Sequence, residues 1–177
     1  NGASATGSNA TAIGANSIAS NSYSLAIGTG NSSFNAEATG NSAIAIGTDV
    51  NATGTASVAL GLYADATGTN AIALGRNVSA VGSAIAIGSN VNATASDSIA
   101  LGSLASAEAE NALAMGAGAT ALGADGSAVG VDTRASGLRS AAFGRGARGL
   151  GTSSTAVGDT AFAIGGRATA VGQRANA

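Results

Sequence analysis

The stretch Asn41-Ser42-Ala43-Ile44-Ala45-Ile46-Gly47 decides how this chain is read. It closes on a cassette Ala-Φ-Gly, where Φ is a bulky apolar residue, and the cassette keeps returning. Ahead of it stand Ala12-Ile13-Gly14 and Ala26-Ile27-Gly28. After it come Ala59-Leu60-Gly61, Ala73-Leu74-Gly75, Ala86-Ile87-Gly88, Ala100-Leu101-Gly102 and Ala114-Met115-Gly116. Ala128-Val129-Gly130, Ala142-Phe143-Gly144, Ala156-Val157-Gly158 and Ala170-Val171-Gly172 complete the series. The step is 14 residues almost throughout. A period this regular implies a solenoid of stacked units.

Two irregularities interrupt the period. Gly28 to Gly47 spans 19 residues, and the five extra ones fall within Thr29–Glu37, which we read as a loop bulging from the solenoid. Gly75 to Gly88 spans 13, a one-residue deletion. A weaker cassette lies midway between the main ones, as in Ala38-Thr39-Gly40, Ala52-Thr53-Gly54 and Ala66-Thr67-Gly68. The unit is therefore two halves of seven residues, each expected to hold about five residues of strand and a short turn. Gly, Asn and Asp gather at the turns, where a positive φ is often required.

Composition agrees with a thin interior. The chain has 177 residues and is 45% apolar, but 45 of its residues are alanine. With three Phe, two Tyr and no Trp, no core of large side chains can be assembled. Stability must come from backbone ladders, a narrow interior and apolar surface buried between chains. Proline is absent, so nothing interrupts a hydrogen-bonded ladder.

Side chains alternate across a strand, so alanine and its neighbour face opposite ways. Alanines from both halves share the interior, and the variable residue points outward. In the main half that outward residue is always apolar: Ile13, Ile27, Ile46, Leu60, Leu74, Ile87, Leu101, Met115, Val129, Phe143, Val157 and Val171. In the other half it is mostly polar, as at Ser20, Thr39, Thr53, Thr67, Thr94, Glu108 and Ser136. Leu25, Ile44, Val58, Ile72, Ile85, Ile99 and Leu113 form a second apolar row beside the first. Such a stripe exceeds what a soluble monomer exposes, so it is expected to be buried between identical chains around one axis. Towards the C-terminus Leu122, Leu150 and Ile164 invade the formerly polar face, which implies either a cover or a change of shape there.

Charge is uneven. Residues 1–130 carry seven acids and Arg76, a net −6; residues 131–177 carry Asp132 and Asp159 against six arginines, a net +4. The simple reading is a solvated surface whose sign changes; the sharper one is a basic end that docks on a partner or faces a membrane.

Enzyme chemistry is poorly supplied. His, Cys and Lys are all missing, which removes most bases, nucleophiles, metal ligands and disulfides. Gly144-Arg145-Gly146-Ala147-Arg148-Gly149 matches G-x-G-x-x-G, but no helical period follows it, so it reads as a repeat turn. Asn-x-Ser/Thr matches such as Asn9-Ala10-Thr11 and Asn92-Ala93-Thr94 read as turn asparagines. No catalytic, metal or cofactor residue is assigned, and nucleic acid is not an expected partner.

The pattern Asn/Ser-x-Ala-Φ-Gly with a weaker Ala-x-Gly half-turn resembles the YadA-like head repeat of trimeric autotransporter adhesins. NSAIAIG (Asn41–Gly47), NAIALG (Asn70–Gly75), DSIALG (Asp97–Gly102) and NALAMG (Asn111–Gly116) carry the resemblance. It covers essentially residues 1–177, read as one head domain of 11–12 repeats with the insertion near 29–37. The resemblance implies an all-β, left-handed parallel β-roll with 14-residue repeats, three chains forming one body and the apolar row lying at the trimer axis. It implies a non-enzymatic adhesin on the outer membrane of a Gram-negative bacterium, binding matrix proteins, host cells, other bacteria or abiotic surfaces. The stalk, neck and β-barrel anchor of such proteins are not in this sequence, and the membrane would be reached only through them. Collagen binding in the family goes with repeats near N-S-V-A-I-G, which no repeat here matches in full: Ser57-Val58-Ala59-Leu60-Gly61 follows Ala56, and DSIALG opens on Asp97.

Ligand contact is expected on the polar ladder, at Thr39, Thr53, Thr67, Thr94 and Glu108, and at Phe34 in the insertion; Tyr23 and Tyr63 are further aromatic candidates. An ice-binding solenoid or a purely structural one is the alternative. Thr53-Gly54-Thr55 and Thr67-Gly68-Thr69 hint at flat threonine ranks, which fail at Val81-Gly82-Ser83 and Glu108-Ala109-Glu110.

Overall fold

The computed structural model describes residues 2–30 and 35–177. Among them the only regular structure is strand, in 21 short segments joined by parallel pairing. Partners lie 14 residues apart, as in Val58↔Ile72 with Ala66↔Ala80 and, further on, Ile99↔Leu113 with Ser106↔Thr120. The chain is thus a parallel β-solenoid of about 12 turns, and each turn has two sides. We call the side ending in Ala-Φ-Gly face A and the other face B. The chain divides into two compact units, Asn1–Ser89 and Asn90–Ala177.

Register locates both irregularities. Ile13 pairs with Ile27, but Ile27 pairs with Ile46, and Ala36 already pairs with Val50. The five extra residues therefore enter between Gly28 and Asn35, and Phe34 lies outside the described residues. The missing residue comes out of the corner between Ala80 and Ala84. There Gly82 (φ 66°) supplies the left-handed conformation that Asn70 (φ 59°) supplies one turn earlier.

Strands are shorter than the seven-residue half suggests. Most run two or three residues, as Leu113–Met115 and Ser106–Ala107 do; nine-residue strands such as Val58–Ala66 and Ile72–Ala80 continue through a corner. The reason is the corner itself. From Asp97 to Arg174 every seventh residue has φ between 53° and 67°. One left-handed residue per half bends the chain back, and the residues around it leave the ladder. Asn, Asp and Gly suit this conformation, since other side chains strain there.

Alternation holds as expected from sequence. Ala45, Ala59 and Ala73 from face A and Ala38, Ala52 and Ala66 from face B are fully buried in the first unit. Ala100, Ala114 and Ala128 with Ala107, Ala121 and Ala135 do the same in the second. The largest completely buried side chains are only Val50, Val78 and Val91. Several interior hydroxyls are returned to the backbone: Ser57 Oγ donates to the Gly54 carbonyl at 2.7 Å, Ser98 Oγ to Ala95 at 2.7 Å and Thr133 Oγ1 to Gly130 at 2.9 Å, whereas Ser140 Oγ and Ser154 Oγ have no such partner. With an interior this thin, opposite strands nearly touch, and glycines stack on glycines. A Cβ at Gly144 (φ 120°) would lie 2.6 Å from the Gly158 carbonyl oxygen.

Candidate functional site

Among the described residues no three His, Cys, Asp or Glu side chains gather as a metal site would require. What the fold presents is faces. Face A follows directly from the alternation. Because alanine occupies the inward position, Φ has to point out, and so does the residue two before it. In the first unit Leu25, Ile44, Val58 and Ile72 stack in register beside Ile27, Ile46, Leu60 and Leu74. In the second unit Leu101, Met115, Val129, Phe143, Val157 and Val171 form one continuous row. None of the 12 predicted residues is buried within its own chain; Leu60 is 43% exposed and Phe143 40%. A shallow groove of about 280 Å³ runs along this row past Ile13, Ile27 and Ile46.

Face B is polar in the first unit. Asn51 Nδ2 donates to Asp65 Oδ1 at 2.7 Å across one rung, and Asn35 Nδ2 to Glu37 Oε1 at 2.9 Å. Thr39 is half-buried, while Thr53 and Thr67 are exposed, in consecutive rungs. Thr94 and Glu108 stand outward on face B of the second unit, where Ser106 Oγ donates to Glu108 Oε1 at 2.6 Å. The threonine rank is brief: Thr53, Thr55, Thr67 and Thr69 are exposed together, and Val81 then breaks it.

Sequence reasoning put Gly, Asn and Asp at the turns but did not place bulky residues at the same left-handed positions. Tyr23 (φ 59°), Tyr63 (φ 56°) and Leu104 (φ 61°) sit at left-handed positions that Asn or Asp fill elsewhere. Tyr23 is 67% exposed and Leu104 62%. Bulky residues at such positions carry strain of roughly 1–2 kcal/mol each. The signal was readable: counting sevens from Asn9 and Asn16 reaches Tyr23, and counting sevens from Asn90 and Asp97 reaches Leu104.

The second unit ends differently. Arg134 pairs in register with Arg148, and Arg148 with Phe162. The Arg148 guanidinium lies over the Phe162 ring, 5.2 Å from its centroid. Arg145 pairs with Asp159 at 3.0 Å on the corner between faces A and B.

A parallel solenoid with an alanine interior and an outward apolar face defines a class of β-roll repeat protein. The model of the YadA head domain repeat, two copies long, matches residues 5–31, 34–49, 52–77, 82–105, 93–119, 107–130, 121–147 and 150–175. The chain belongs to the YadA head-domain family. Among solved structures it is similar to the collagen-binding domain of the Yersinia adhesin YadA, at 28% identity and a TM-score of 0.58 over 78% of this chain and 70% of that one. No curated protein sequence matches it. Its kinship is with adhesins, a non-enzymatic family.

Proposed function

We propose that this chain is the attachment head of a surface adhesin, and that three copies pack face A against face A while face B looks outward. One observation carries the reading: the apolar rows on face A point away from an interior that alanine already fills. Among the described residues none covers them, and an apolar row of this length along a unit is a marker of association. Three-fold packing buries all 12 Φ residues at one axis and leaves three copies of face B for repeated weak contacts, whose avidity multiplies. Thr39, Thr53, Thr67, Thr94 and Glu108 are the ligand-facing candidates on that outer surface. Matrix protein, host cell or abiotic surface is the class of target, and the kinship with a collagen-binding domain favours matrix protein. Collagen itself is the less favoured matrix ligand, because the repeats depart from N-S-V-A-I-G. A Gram-negative outer-membrane location follows from the family.

The test is mass in solution. The parent chain is expected to be a trimer, and Leu74→Asp or Ile87→Asp to yield monomers, since either places a charge in a dry interface. An intact trimer with both substitutions would refute the assignment of face A. Binding of the trimer to immobilised matrix proteins, cultured cells and bare polystyrene then separates the targets.

A further inference from the structure

The basic end of the second unit has a layout that the attachment reading does not require. On face B the outward positions alternate between two columns. One holds Arg134 and Arg148 in register. The other holds Ser136 beside Arg134 and then Leu150 and Ile164, of which Ile164 is 55% exposed. On the far side of that apolar column lies the corner, where Arg139 and Arg167 occupy left-handed positions (φ 54° and 61°). An apolar strip thus runs between two rows of arginine.

Three features of this strip cost stability, offset only in part by Arg134 Nε donating to Ser136 Oγ at 2.7 Å and by Arg148 lying over the Phe162 ring. Arg134 and Arg148 stack like charges on adjacent strands, which is destabilising. Arg139 and Arg167 stand at corners that favour Asn, Asp or Gly. Ile164 exposes its side chain where other rungs place threonine. Among the described residues no carboxylate pairs with any of these four arginines. Asp159 is taken by Arg145 on the opposite corner, and Asp125, one rung from Arg139, accepts from Asn111 Nδ2 at 3.0 Å.

We propose that this strip binds a sulfated polysaccharide, with sugar rings lying on Leu150 and Ile164 and anionic groups held by the arginine rows. Arginine is the only basic residue present, and its planar fork matches sulfate and carboxylate. Arg134 and Arg148 stand one rung apart, about 4.8 Å, and Arg139 and Arg167 two rungs apart with Ser153 between, so both rows space charge along a linear polyanion. Nucleic acid fits less well. A smooth strand surface offers no helix or ribbon to enter a groove, and the Phe162 ring, capped by Arg148, is not free to stack a base. This inference rests on face B being outward in the attachment head.

Binding of the full chain to immobilised heparin tests it, with dextran and duplex DNA as comparison ligands and mass measured on each sample. The parent is expected to bind heparin, with salt weakening it, and to ignore dextran. Arg134→Ser with Arg148→Ser should weaken binding by about tenfold or more and flatten the salt dependence. Arg139→Asn should weaken it as well while leaving the chain at least as stable, because asparagine suits that corner. Arg145→Ser, off the strip, should leave affinity within about twofold. Unchanged affinity in the folded double variant, an equal loss with Arg145→Ser, or equally tight binding of duplex DNA would each overturn the proposal. A trimer that fails to bind heparin refutes the strip alone, whereas a monomer refutes the assignment of face A.

Discussion

Gly144→Ala probes why every Ala-Φ cassette ends in glycine. Two effects combine at this position. The backbone sits at φ 120°, a region that side chains strain to enter, at about 1–3 kcal/mol. The new Cβ would also lie 2.6 Å from the Gly158 carbonyl oxygen, on the next rung. Reaching an ordinary contact of about 3.4 Å means opening the rungs by roughly 0.8 Å. The Gly158 N–H donates to the Phe143 carbonyl at 2.8 Å, so that opening carries the bond past about 3.5 Å, where it no longer counts as one. One or two ladder bonds at about 0.5–1.5 kcal/mol each bring the total to roughly 1.5–6 kcal/mol. Gly146→Ala, two residues on, is the control. Its φ of 65° is a corner value, Ala56 already tolerates φ 55°, and the nearest obstacle is the Thr160 methyl at 3.2 Å. Alanine there should cost about 0–1 kcal/mol, the strain being partly offset by the stiffer unfolded chain. Solenoids unfold by segments, so a global midpoint understates local damage. Amide exchange at Gly158 is the sharper assay, with at least tenfold faster exchange expected in Gly144→Ala and little change in Gly146→Ala. Equal exchange at Gly158 in the two variants would refute the close-stacking argument.

Two further substitutions test the interior and the corners. Ala73→Val adds volume where alanine recurs in every cassette and the side chain is fully buried, so it should destabilise by about 1–3 kcal/mol in denaturant unfolding. Leu104→Asn should raise stability by about 0.5–1 kcal/mol, because Asn77 and Asn90 fill equivalent corners while Leu104 strains at φ 61°. A loss of stability there would mean the exposed leucine packs on something that compensates its strain.

The sequence carries the fold in its spacing because a solenoid repeats one local decision. Ala45 and Ala59 lie 14 apart, so whatever puts one inside puts the other inside, and Ile46 and Leu60 must then point out together. Boundaries were less legible. A half-repeat of seven suggests five residues of strand, but nothing in a single half says how many the corner consumes. Only the left-handed residues show that, and they are disguised where Tyr63, Leu104 or Arg139 stands in place of asparagine. The candidate contacts divide in the same way. Thr53 and Thr67 were readable as outward from alternation alone, whereas the pairing of Asn51 with Asp65 needed the rung register.

The division of labour among positions has a consequence for function. In each repeat the inward sites are restricted to alanine, serine, glycine and an occasional valine or threonine by the narrow interior. The Φ site and its glycine are restricted by face A and by rung stacking. That leaves the outward sites of face B and the corner residues as the places where a substitution leaves the roll intact. Variation concentrates there: Glu37, Asn51, Asp65 and Ser79 on face B of the first unit, and Thr120, Arg134, Arg148 and Phe162 on that of the second. Chemistry can change along face B while the repeat stays constant, because outward neighbours on a strand do not share interior volume. A head built this way can carry an acidic-amide surface on one unit and an arginine-lined strip on the other without altering its fold. If attachment depends on those outward sites, exchanging Thr120, Arg134 and Arg148 for the Asn51, Asp65 and Ser79 set should redirect binding without changing oligomeric mass. Lost trimerisation in that exchange would show that face B also supports assembly.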